Sequence, residues 1–95
     1  MMSRFIKRLE KNIKRIERNI EKEERQIAHY KDKCEQGKIT KADFTIKKNT
    51  IEERIKAFKA RIRTLQGLIA KEKRHLEEKE LEKQKKQEEK EKNKE

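Results

Sequence analysis

Residues 6 to 26 are three successive seven-residue repeats, IKRLEKN, IKRIERN and IEKEERQ, and a fourth, IAHYKDK, keeps the apolar positions. A heptad with apolar residues at a and d winds an apolar stripe along one side of a helix, and such a stripe is stable only against a second helix. With a at Ile6, Ile13, Ile20, Ile27 and Cys34 and d at Leu9, Ile16, Glu23 and Tyr30, the stripe is narrow and broken only by Glu23.

The second half of the chain supplies the partner. Phe44, Ile51, Ile55, Phe58, Ile62, Leu65, Ile69 and Leu76 follow the same alternation of threes and fours, interrupted by Lys48 and Glu72. Between the halves lies Gln36-Gly37-Lys38-Ile39-Thr40-Lys41-Ala42-Asp43, in which Gly37 can take the left-handed conformation that ends a helix. Thr40 offers an N-cap, with Asp43 three residues on as a shorter stand-in for the Glu of a capping box. The expected fold is therefore all-α, a two-helix antiparallel coiled-coil hairpin over residues 1–76. Its first helix runs from about 3 to 36, its turn over 37–40, and its second helix from about 41.

A register follows if each a residue meets a d residue of the other helix. Ile13 then faces Leu65, Ile16 faces Ile62, Ile20 faces Phe58, Ile27 faces Ile51 and Cys34 faces Phe44, each pair of residue numbers summing to 78. The same register sets Glu17 beside Lys59 as an attractive flanking pair and brings Glu24 near Glu52. Residues 77–95, almost wholly Glu, Lys and Gln, must project past the hairpin as a protruding charged C-terminal extension, helical or disordered, with mobility expected toward residue 95. Phe5, Ile46 and Leu68 fall outside the seam, so a homodimer in a four-helix arrangement would cover them.

Composition enters as a limit on alternatives. With 29% apolar and 52% charged residues in 95, the chain cannot bury an ordinary globular core. An enzyme needs a concave, desolvated site, and a two-helix rod offers none, so the expectation is a protein that is not an enzyme and uses no cofactor. Cys34 is the only cysteine, and His29 and His75 are far apart in the register, so no metal-ligand cluster is expected. No hydrophobic run suits a signal peptide or a membrane span, and the expected setting is a reducing cytoplasm, with no membrane partner.

The charge pattern carries the functional expectation. Residues 1–20 hold seven basic and two acidic side chains and residues 54–75 hold eight basic and one acidic, and the register places these stretches side by side. The loop end, residues 21–53, is balanced at eight and eight and the extension holds seven Lys and eight Glu, so the formal +11 is the open stem's +12 less one. The first helix places Lys7 and Lys14 at b, Arg8 and Arg15 at c, and Arg4, Lys11 and Arg18 at f, all away from the seam. Together with Arg54, Lys56, Arg61, Arg63, Lys71, Lys73 and Arg74 these cations are the expected contacts to a polyanion, DNA or RNA. Binding would be directed at the phosphate backbone and independent of sequence, as in a nucleoid- or ribosome-associated protein, because no zinc-finger spacing and no stacking aromatic motif occurs. The competing expectation is a structural coiled-coil adaptor that mediates oligomerisation or meets an acidic protein partner.

Residues 27 to 51, with Tyr30, Gly37, Ile39, Thr40, Asp43, Phe44 and Lys47, resemble the helical-hairpin module called the short C-terminal domain, whose pattern runs helix, Gly-x-Ile-Thr, acidic residue, aromatic, helix. The resemblance implies a compact helical turn tied to oligomerisation, with Gly37 as the helix stop and Phe44 as a packing residue. It lacks that family's leucines, lies in the middle of the chain and implies no function.

Overall fold

The computed structural model describes residues 3–93. Two helices account for nearly all of it: α1, Arg4–Glu35, and α2, Lys41–Lys92. They pack against each other in a rod of 86 × 16 × 14 Å. Residues 1, 2, 94 and 95 lie outside the described range, and the expected mobility toward residue 95 falls on that terminus.

Each helix begins at a side-chain cap. The Ser3 hydroxyl accepts from the Ile6 N–H at 3.1 Å, and the Thr40 hydroxyl accepts from the Asp43 N–H at the same distance. Each bond satisfies one of the donors that a helix start leaves orphaned. The capping box at Thr40 forms only in half: the Asp43 carboxylate makes no return bond to the Thr40 N–H, one methylene being missing relative to Glu. α1 stops one residue short of the expected position 36. Gly37 sits at φ 75°, the Lys38 N–H donates to the Lys33 carbonyl at 2.9 Å, and the Gly37 N–H donates to the Cys34 carbonyl at 3.0 Å. This pair of bonds closes the helix end in a Schellman turn and sends the chain back along itself.

The core is one residue wide. Ile6, Leu9, Ile16 and Ile20 of α1 and Ile51, Ile55, Leu65 and Ile69 of α2 are buried. Ile13, Ile27, Tyr30, Phe58, Ile62 and Leu76 pack partly buried against them. Two contacts across the seam support the register, because Glu23 meets Arg54 and Tyr30 meets Lys47. Each joins a d residue of α1 to the g residue of α2 adjacent to its expected opposite number.

The two acidic interruptions of the seam, Glu23 and Glu72, are handled differently. The Glu23 side chain is only 19% exposed, and it receives the Arg54 Nε at 3.3 Å, with Arg54 Nη2 3.2 Å from the same carboxylate oxygen. Glu72, opposite Ile6, is half-buried. No buried side-chain nitrogen or oxygen among the described residues lacks a partner. The expected flanking pair of Glu17 and Lys59 is not made. Both side chains are exposed, and an attraction of roughly 0–1 kcal/mol in water does not offset the rotamer freedom lost in holding two long side chains together.

α1 starts at Arg4, level with about residue 74 of α2 in this register. Residues 77–92 therefore run on past α1 with no other described residue beside them, a helical overhang about 24 Å long.

Candidate nucleic-acid interface

All fourteen cations expected to meet a polyanion are exposed. The helix pairing does not gather them on one face. In an antiparallel pair the f positions of the two helices point to opposite sides of the rod, so Arg4, Lys11 and Arg18 of α1 and Arg74 of α2 occupy its two backs. The remaining ten divide between two edges. Arg8, Arg15, Arg54, Arg61 and Lys71 lie at g or c positions, on the edge where the g residues of both helices meet. Lys7, Lys14, Lys56, Arg63 and Lys73 lie at b or e positions, on the edge where the e residues meet.

The edges differ in what accompanies the cations. Glu10 and Glu17, the only acidic residues of the stem portion of α1, are both e residues, and Glu24 continues their line. Farther toward the loop the e-edge becomes acidic outright. Glu24, Glu52 and Glu53 line a groove of about 590 Å³ floored by Ile27 and Ile55 and flanked by Lys56 and Lys59. There the expected crowding of Glu24 and Glu52 is relieved in part by Lys48, whose ammonium stands 3.8 Å from the Glu52 carboxylate.

The g-edge of the stem carries no carboxylate at its c and g positions. Its α1 side presents Arg8 and Arg15 with Asn12 and Asn19 half-buried at the foot, and its α2 side presents Arg61, Leu68, Lys71 and His75. In the register Arg8 is level with Lys71 and Arg15 with Arg61. The edge thus offers two pairs of cations about 10 to 15 Å apart along the rod, one member of each pair on each helix. Groups so placed can hydrogen-bond to phosphate oxygens on either side of a strand, the guanidiniums in bidentate fashion.

Arg54 stands apart from this set because its guanidinium is engaged by Glu23. The sequence pattern shows Glu23 as a break in the seam and Arg54 as one more surface cation. Their pairing becomes visible only when the register is extended from d to the neighbouring g position. Asn12 and Asn19 were equally silent in the sequence, since their heptad position matters only once the charged groups around them are assigned to an edge. Lys59, set aside as the partner of Glu17, is exposed and unpaired with it.

Among the described residues no group of three or more His, Cys, Asp or Glu is placed to hold a metal ion. Cys34 is a half-buried free thiol. No helix of the described residues is long and apolar enough to cross a membrane. The fold defines the chain as a helical hairpin with one overhanging helix. Comparison with protein-family models, with curated proteins and with solved structures returned no match.

Proposed function

We propose that this protein is a non-enzymatic, cytoplasmic binder of nucleic acid that grips the phosphate backbone of DNA or RNA through the g-edge of its stem, in the manner of a nucleoid- or ribosome-associated protein. The observation that carries this reading is the separation of signs between the two edges. Arg8, Arg15, Arg61 and Lys71 share an edge whose c and g positions hold no carboxylate along the stem, while Glu10 and Glu17 lie on the other. A surface shaped only for solubility would intersperse both signs. With no aromatic platform among the described residues of that edge, recognition rests on charge and spacing rather than on sequence.

The test is affinity for random-sequence duplex DNA and for structured RNA across a salt series. Four phosphate contacts predict a slope of log K against log salt near −3.6 for B-form DNA, from about −0.9 per contact. The variant Arg8→Gln/Arg15→Gln/Arg61→Gln/Lys71→Gln should lose most of that slope. Lys7→Gln/Lys14→Gln/Lys56→Gln/Arg63→Gln, which removes the same charge from the other edge, should keep most of it. Equal losses in the two variants would reduce the interaction to net charge and overturn the assignment of the edge.

A second reading is favoured by a separate observation, the helical overhang beyond Leu76, which no other described residue packs against. It makes the protein a coiled-coil adaptor, and an acidic protein is the partner it calls for.

A further inference from the structure

The overhang looks charge-balanced when its residues are merely counted. Laid on the α2 heptad it is sorted by face. Carrying the register past Leu76 puts Lys79 and Lys86 at d and Lys83 and Lys90 at a. Their spacing of four, three and four is that of the apolar seam itself, so the four side chains leave α2 in one row about 16 Å long, in line with Leu65, Ile69 and Leu76. Glu82 and Glu89 at g and Glu80 at e flank the row, and the other carboxylates of the overhang lie behind it. Lys83, Lys86 and Lys90 line an open groove of about 410 Å³ together with Glu89.

We infer that this row is a docking seam for an acidic helix of a partner protein, one with Glu or Asp at its core-facing a and d positions and Lys or Arg at its flanking e and g positions. The row continues the line on which α1 is already seated, and no described residue covers it. A helix of about two heptads would occupy the sixteen-residue overhang, its acidic row meeting the lysines and its basic flanks meeting Glu80, Glu82 and Glu89. This pattern selects against the other occupants. The overhang of a second copy would oppose lysine to lysine in every layer. A nucleic-acid strand senses all charges within a Debye length of about 8–10 Å, close to the width of a helix. Over residues 77–92 it would meet six lysines and seven glutamates, leaving almost no net attraction. The inference uses none of the g-edge residues and stands independently of the nucleic-acid reading.

The experiment uses the full chain and a fluorescein-labelled three-heptad peptide with Glu at a and d, Lys at e and g, and Ala or Gln elsewhere. Fluorescence anisotropy is read in 20 mM and 300 mM NaCl. Saturable binding that weakens at high salt is expected, with at least about tenfold weaker binding of a peptide of the same composition but shuffled positions. Lys79→Gln/Lys83→Gln/Lys86→Gln/Lys90→Gln, which keeps good helix formers throughout, should lose at least about tenfold with unchanged helicity by circular dichroism. The corresponding four Lys→Glu changes should abolish binding, because the acidic row of the peptide would then face glutamates. Absence of saturable binding to the wild-type chain overturns the inference, as does equal binding of the shuffled peptide. If instead the Lys→Gln variant loses duplex DNA affinity while the peptide never binds, the row meets phosphate and the docking seam is refuted. Loss of DNA binding on changing the g-edge cations has no bearing on this outcome.

Discussion

Replacing Glu23 by leucine should stabilise the hairpin. Glu23 occupies a d position with its side chain 19% exposed, so a leucine there would have about four-fifths of its side chain removed from water. Full burial of such a side chain stabilises by about 1.5–3 kcal/mol, which scales to roughly 1.2–2.4 kcal/mol at this site. Against this stands the loss of the pair with Arg54, whose own side chain is 51% exposed. A pair of that exposure contributes up to about 1 kcal/mol. Arg54 is left with water as its partner, so no buried charge is stranded. The net gain centres on about 1.3 kcal/mol, equivalent to a rise in Tm of roughly 5–10 °C for a domain of this size. Thermal and urea unfolding followed at 222 nm, at two protein concentrations, measure it. The gap between variant and wild type should widen in 1 M NaCl, where the ion pair is screened and the leucine is not. A Tm that falls, or a gap that closes in salt, would mean that the Glu23–Arg54 pair holds the register more strongly than apolar burial could, and would refute burial as the force that sets this layer of the seam. The same variant releases a guanidinium on the g-edge, so nucleic-acid affinity should rise with the stability rather than fall.

Other consequences follow from individual positions. Ile51→Ala removes a side chain that is 2% exposed and should cost about 2–4 kcal/mol in urea unfolding, while Ile46→Ala, at a side chain 64% exposed, should change stability by less than about 0.5 kcal/mol. Gly37→Ala meets no steric obstacle but must hold φ near 75°, and a loss of about 1–2 kcal/mol is expected in the same assay. Thr40→Ala removes the acceptor for the Asp43 N–H and should lower stability by about 1 kcal/mol, with Thr40→Asp restoring most of it. Ending the chain after Leu76 should leave the Tm of the hairpin within a few degrees of the full chain, because the overhang buries nothing against α1; a large drop would show that residues 77–92 support the stem.

The amino-acid sequence by itself determined that the chain is helical, that it doubles back at Gly37, and which residues face inward. An apolar repeat of threes and fours has one stable use, and a lone glycine between two such repeats leaves one place to turn. The sequence also marked the stem as basic, since that needs only the register and a count. Pairing geometry decided the rest. Whether a surface cation is available depends on which neighbours reach it across the seam, and so Arg54 is engaged by Glu23 while Lys59, expected to pair with Glu17, is not. Whether fourteen cations form one surface or several depends on the opposed outer faces of two antiparallel helices, which no count along a single helix reveals. The lysines of the overhang show the boundary between the two kinds of knowledge. Their spacing is written in the sequence, but it acquires meaning only beyond the reach of α1, where no described residue covers that side of α2, because a heptad position has a physical role only in relation to the helix that packs, or fails to pack, against it.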